Sequence, residues 1–244
     1  MGSDKLEQYD LSTGTYGYSA ASLDSLGATE YTLVTIAVDV SGSVGSYKKE
    51  MEDSIKEVVK ACLSSPRADN LMIRIVTFDT TLVEMHGFKL LTDCNEDDYN
   101  DCLTIGGMTS LYDASQNSIE AMQNYAKNLN DNEFDVNGII VIITDGCDNA
   151  SNVSTMDGVK KSLEDVVKQE SLQSLLTILV GVGINQTVSQ SLTEFKDKTG
   201  LTQYVEIKEA NAKNLAKLAK FVSKSISAQS KSLGTGSMSI PLTF

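Results

Sequence analysis

The chain lacks tryptophan and has only two prolines and a single histidine, His86. A Ser-His-Asp triad would have to be built on that histidine, which stands in the middle of a strand pattern, so nucleophilic catalysis of that kind is not expected. The four cysteines, Cys62, Cys94, Cys102 and Cys147, form no CxxC pair and no zinc-ligand spacing. They read as reduced thiols of a cytoplasmic protein; a Cys94–Cys102 disulfide in an oxidising compartment is the alternative. No apolar run approaches the roughly 18 residues that a spanning helix needs. Met1–Ala20 has no hydrophobic stretch of the secretory kind. Positive charge is scarce as well: 20 Lys and Arg face 33 Asp and Glu, for a net charge of −13. Phosphate-rich partners need clustered positive charge, so neither nucleic acid nor membrane is expected as a partner, unless through a small local basic patch.

What is present is an ordinary globular composition, 41% hydrophobic and 22% charged over 244 residues. That length suits one sizeable core with tails. Residues 1–28, rich in Gly, Ser, Tyr, Asp and Leu without a period, read as an N-terminal arm, extended or packed on a surface and outside the core sheet. Residues 229–244 read as a flexible C-terminal tail whose last residues, Ile240–Phe244, are apolar enough to dock. The domain proper is expected over 29–228.

Within it, strand and helix patterns alternate. Strands are expected at Tyr31–Val40, Leu71–Phe78, Leu82–Leu90, Gly138–Thr144, Leu175–Val182 and Gln203–Ile207. Helices are expected at Ser46–Leu63, Ser110–Leu129, Thr155–Gln169, Thr187–Thr199 and Asn211–Ala228. The link Thr80–Thr81 is too short for a parallel crossover and implies an antiparallel hairpin. The pattern is therefore α/β: a Rossmann-like, doubly wound, mostly parallel six-stranded sheet with one antiparallel edge strand and helices on both faces. In the last helix Leu215, Leu218, Ala219, Val222 and Ile226 share one face, and Lys213, Lys217, Lys220 and Lys224 share the other. The lysines read as a solvated face or as a site for an anionic partner.

Sheets of this kind bind ligands at the carboxyl ends of their strands. Three polar clusters fall there: Asp39-Val40-Ser41-Gly42-Ser43, Gly106-Gly107-Met108-Thr109-Ser110, and Thr144-Asp145-Gly146. Their carboxylates and hydroxyls suit a hard divalent cation that takes oxygen ligands and keeps some of its waters. Asp-x-Ser-x-Ser, a Thr after Gly-Gly, and Thr-Asp-Gly, in this order and each after a strand, resemble the metal-ion-dependent adhesion site of von Willebrand factor A domains. Phe78-Asp79-Thr80, Gly107–Ala114 and Ile143–Ser151 fit too. The resemblance covers roughly 30–228 and is nearer to small intracellular bacterial and phage proteins than to integrin or collagen-binding ones.

The resemblance implies metal ligands Asp39, Ser41, Ser43, Thr109 and Asp145, with Mg²⁺ or Mn²⁺ as the ion. It also implies an open position filled by an Asp or Glu carboxylate of a partner protein, and no enzymatic activity. Asp148 and Asp113 are expected to make the rim acidic. An assembly protein, of a phage particle for instance, with this core as scaffold and the arms as contacts, is the other reading. The compartment would be the cytoplasm, or the virion if phage-encoded. A phosphotransferase of the haloacid-dehalogenase type needs a second Asp where Ser41 stands. Asp93-x-Asn95-x-Asp97 begins like a calcium loop but has Asp98 and Thr104 where Gly and Glu are required. Gly181-Val-Gly183 lacks the third glycine of a dinucleotide fingerprint.

Overall fold

The computed structural model describes residues 6–11, 14–235 and 241–244. Its centre is a parallel array of apolar strands. β3 (Glu30–Asp39) is flanked by β4 (Leu71–Phe78) and β6 (Asp135–Thr144), followed outward by β7 (Ser174–Val182) and β8 (Gln203–Ile207). All four of these pairings are parallel. β4 is buried along its whole length and β3 from Tyr31 onward, as strands covered on both faces must be. Alternation along β3 divides the core. Val34, Ile36 and Val38 meet α1 (Lys48–Leu63) and α5 (Ala212–Thr235) on one face. Tyr31, Leu33 and Ala37 meet α2 (Leu111–Asn130), α3 (Met156–Gln169) and α4 (Gln186–Thr199) on the other. The Rossmann-like α/β class is thus as expected, and β5 (Leu82–Leu90) pairs antiparallel with β4.

The sheet has eight strands, however, in the order β1-β2-β5-β4-β3-β6-β7-β8. Both additions come from the segment read as an arm outside the sheet: β1 (Leu6–Asp10) and β2 (Gly17–Ala21) form an antiparallel hairpin. β2 continues the sheet beyond β5 through the parallel pair Ala20–Phe88, so β5 is not an edge. Backbone approach is so close here that a Cβ on Gly87 would stand 1.9 Å from the Ser19 carbonyl oxygen. Glu84 accepts from both Ser19 N (2.9 Å) and Ser19 Oγ (2.6 Å), and its other oxygen accepts from Arg74 Nε at 2.6 Å. Arg74 is 1% exposed and also donates to Asn117 of α2 at 2.9 Å. Stacked rings, Tyr9 on Tyr18 and Phe88 on Tyr125, cover this network from the apolar side.

The tail differs from expectation too. α5 continues to Thr235 instead of stopping near Ala228. The cause is tertiary: Gln229 Nε2 donates to the Gly138 carbonyl (3.0 Å) and to Ser174 Oγ (2.8 Å), while Asn137 donates to the Gln229 carbonyl (2.9 Å). Farther on, Phe244 packs edge-on against Phe221, and Gln203 donates to the Leu242 carbonyl at 2.9 Å. The four cysteines are free. Among the described residues no helix is long and apolar enough to cross a membrane.

Candidate functional site

Chain connections leave β3 toward β4 on one side, while β6 lies on the other, so strand order reverses between β3 and β6. A crevice opens at the carboxyl ends of strands related in this way. Asp39, the last residue of β3, is fully buried there. Its Oδ1 accepts from Ser41 N at 2.8 Å and its Oδ2 from Thr144 Oγ1 at 2.6 Å. Burial holds the Asp39 carboxyl above the usual carboxylate range. Bonds from Thr144 and Ser41 oppose that shift, and the neighbouring charge of Asp145 adds to it.

The expected residues come together around this carboxylate. Ser41 Oγ and Ser43 Oγ are 3.2 Å apart, and Ser43 Oγ donates to Asp145 Oδ1 at 2.8 Å. Thr109 is buried, and its Oγ1 stands 3.5 Å from the point a Cβ on Gly146 would occupy. The loop after Asp145 is tied to Thr109 by three further bonds: Thr109 N to Asn149 Oδ1 (2.7 Å), and Asn149 N and Ala150 N to the Thr109 carbonyl (2.9 and 3.1 Å). Gly106 N reaches the Val40 carbonyl at 2.9 Å, joining the second loop to the first.

The second loop is braced from behind by the β4–β5 turn. Met108 N donates to Thr80 Oγ1 (3.0 Å) and Ser110 N to the Asp79 carbonyl (2.8 Å). Gly107 adopts φ +69°, and a Cβ there would stand 2.7 Å from Thr80 Oγ1 and 2.8 Å from Asp79 Oδ2. Only glycine meets both conditions.

Thr144 and Tyr47 were given no role from sequence, and Asp113 was given a different one. Thr144 is the main donor to Asp39, and its signal was its place before Asp145. Tyr47 is buried beside the charges of Asp145 and Asp39; burial first, then Asp145, push its pKa up. Asp113 was expected on an acidic rim and is instead 1% exposed. Its carboxylate accepts from Asn152 N, Val153 N and Ser154 N at 3.2, 3.2 and 2.7 Å, which fixes the loop after β6. Asp148 is half-buried and accepts from Tyr112 N at 3.1 Å. The rim offers one large apolar side chain, Met108, which is 52% exposed.

The lesser motifs are occupied otherwise. Asn95 and Asp98 cap a short 3-10 turn reciprocally, accepting from Asp97 N (3.1 Å) and Asn95 N (3.3 Å), so these two side chains are engaged with backbone. His86 lies between the Gly87 carbonyl and the Tyr99 hydroxyl. Among the described residues no group of three or more His, Cys, Asp or Glu is arranged to hold a metal. A cation at the strand ends would therefore be held by two carboxylates and by hydroxyls, a donor set for a hard ion.

The family model for the von Willebrand factor type A domain matches residues 34–224. No curated protein sequence matches the chain. Among solved structures, the D319A mutant of the PilB minor pilin from Streptococcus sanguinis is similar with a TM-score of 0.61 at 14% identity, covering 89% of this chain and 66% of that one. The pilus adhesin SpaC from Lactobacillus rhamnosus GG gives 0.59 at 9% identity, over 83% of this chain and 31% of that one. Proximal thread matrix protein 1 of the mussel byssus, with a zinc-occupied MIDAS motif, gives 0.52 at 16% identity, over 82% and 46%. The chain thus spans from 31% to 66% of the length of these structures, and at such identities the likeness is one of fold.

Proposed function

The chain belongs to the von Willebrand factor type A family, and from that premise we propose that it is a non-enzymatic, Mg²⁺-dependent protein-binding module. We place the working unit in residues 29–228, with the β1–β2 hairpin as an added edge. Asp39, Ser41, Ser43, Thr109 and Asp145 would hold the cation, and Mn²⁺ would be accepted in its place because it shares the preference for oxygen ligands. When bound, the ion supplies an electrophilic centre for a carboxylate.

The observation that carries this reading is the state of Asp39. Its carboxylate is wholly buried, it accepts from the Ser41 N–H and the Thr144 hydroxyl, and the charge that acts on it is that of another carboxylate, Asp145. Buried charge in such a setting calls for a cation. Two carboxylates balance a divalent ion without exceeding it, so an Asp or Glu of a partner protein can still be attracted. Ser41 and Ser43 present hydroxyls from a turn that Asp39 itself braces through Ser41 N. Thr109 is held by backbone bonds on both sides, which leaves its hydroxyl free to orient an incoming carboxylate. Met108 supplies an apolar contact beside it.

The four free cysteines favour the cytoplasm as the working compartment. The assembly reading keeps less of its basis, since residues 6–10 and 17–21 are spent inside the sheet.

Calorimetry tests the metal. Mg²⁺ should bind the wild-type chain with micromolar to millimolar affinity, as expected on the order of magnitude for few protein charges. It should not bind Asp39→Ala. A partner captured in Mg²⁺ should elute with EDTA, and Thr109→Ala should weaken partner capture more than Mg²⁺ affinity. Equal Mg²⁺ binding by wild type and Asp39→Ala would overturn the assignment.

A further inference from the structure

α5 differs from the other α-helices in its charges. It carries Lys213, Lys217, Lys220, Lys224 and Lys231 and no acidic residue, in a chain of net charge −13. All five lysines are exposed. The other α-helices hold lysines in ion pairs along their own length, such as Lys48–Glu52 on α1, Lys127–Asp131 on α2, Lys168–Asp165 on α3 and Lys198–Glu194 on α4. Among the described residues no lysine of α5 has a carboxylate within ion-pair distance; Lys217 instead lies 4.3 Å over the Phe244 ring.

The arrangement is regular. At about 100° per residue the five side chains fall within an arc of about 60°, and at about 1.5 Å per residue they run for about 27 Å. Exposed positions beside them are small, Ala212 and Ala216. Like charges three and four residues apart destabilise a helix, and no acidic neighbour on α5 offsets them.

We propose that this lysine stripe docks an acidic α-helix of a partner protein, one whose carboxylates repeat at the same spacing of three and four residues. A straight stripe one side chain wide matches the charged edge of a second helix lying alongside, as flanking charges do in paired helices. A nucleic acid fits less well. The two arginines, Arg67 and Arg74, are both ion-paired elsewhere, and the ring beside the stripe, Phe244, is already engaged by Lys217 and Phe221. A longer polyanion would also run onto the acidic remainder of the surface. A membrane fits less well because, among the described residues, the large exposed apolar ones, Val83, Met108 and Val167, all lie outside α5.

The test uses a labelled peptide of about six helical turns with glutamates in the α5 repeat, and a scrambled peptide of equal composition, read by fluorescence anisotropy on the full chain. The in-register peptide should bind about tenfold tighter than the scramble, and more weakly as salt rises. Lys217→Glu, Lys220→Glu and Lys224→Glu together should abolish binding while the melting curve stays that of a folded protein. EDTA and Asp39→Ala should leave binding unchanged, which separates this surface from the metal reading. Equal binding of the scramble, or of RNA or phosphatidylserine vesicles at matched charge, would overturn the proposal, as would no binding at all.

Discussion

Arg74 and Asp39 each bury a formal charge almost completely, and they do so in opposite company. Arg74, under the β1–β2 hairpin, has Glu84 at 2.6 Å and Asn117 at 2.9 Å. Asp39, at the end of β3, has a hydroxyl and an N–H as donors and a second carboxylate as its charged neighbour. Burial works against the charged form of both, lowering the pKa of Arg74 and raising that of Asp39. Only the arginine is compensated from within the chain. A buried charge that brings its own counter-charge is part of the scaffold. Asp113, equally buried, is held instead by three backbone N–H groups; Asp39 has neither a counter-charge nor so full a set of donors, and so points outward, to something the protein takes up.

The comparison predicts that the two sites fail differently. Arg74→Ala removes one partner of a buried pair and should cost about 3 kcal/mol, near the low end for such pairs because Glu84 keeps 20% of its side-chain surface exposed. Arg74→Met with Glu84→Gln should recover most of that loss in urea melts, since the amide oxygen can still accept from Ser19. Neither variant should change Mg²⁺ affinity. If Arg74→Ala melts like wild type, the hairpin is not held by this network.

At the other site, removal should help. Asp39→Asn relieves the buried charge and its repulsion with Asp145, so in EDTA the variant should melt above wild type. In Mg²⁺ at a hundred times its Kd, wild type should gain about 2.7 kcal/mol and the variant nothing. An EDTA-insensitive wild type would erase the contrast between the two sites.

His86, half-buried on β5, avoids charge altogether. The Gly87 carbonyl can only accept, so His86 donates to it from Nδ1 and accepts from the Tyr99 hydroxyl at Nε2. Burial is the leading cause that pushes its pKa down to about 4, with Lys89 lowering it further while Glu84 and Asp98 act the other way. The unfolded chain takes up this proton near pH 6.5, so stability is full above about 6.5 and declines toward pH 4, by at most about 1.4 kcal/mol per pH unit. Urea midpoints between pH 7 and 5 should show that slope, and His86→Phe should flatten it.

How much of this was readable in advance follows from the range of the interactions. Asp39, Ser41, Ser43, Thr109 and Asp145 each sit just past an apolar strand or open a helix, so local pattern plus the reversal of strand order suffices to bring them together. β1 and β2 are another matter. Leu6–Asp10 and Gly17–Ala21 are short and mixed in polarity, and what makes them strands is Glu84, 65 residues from Ser19. The one local trace was Gly87 inside a strand, a sign of close backbone approach. Residues 229–235 read as tail because Ser and Gly favour neither helix nor core; Gln229 makes them helical through carbonyls of β6 and β7. Asp113 looked like a surface charge because nothing in its own helix shows that a loop 40 residues on would wrap it.

Gly106 and Gly107 look alike in the sequence, yet they stand under different steric constraints. A methyl group on Gly106 meets nothing within 4 Å, whereas one on Gly107 meets Thr80 and Asp79 in a backbone conformation it already disfavours. Gly106→Ala should therefore leave the melting temperature near that of wild type, whereas Gly107→Ala should lower it. The second is held as glycine twice over, by its φ of +69° and by the β4–β5 turn, so positions 79, 80 and 107 are sterically one unit, although they come from separate loops.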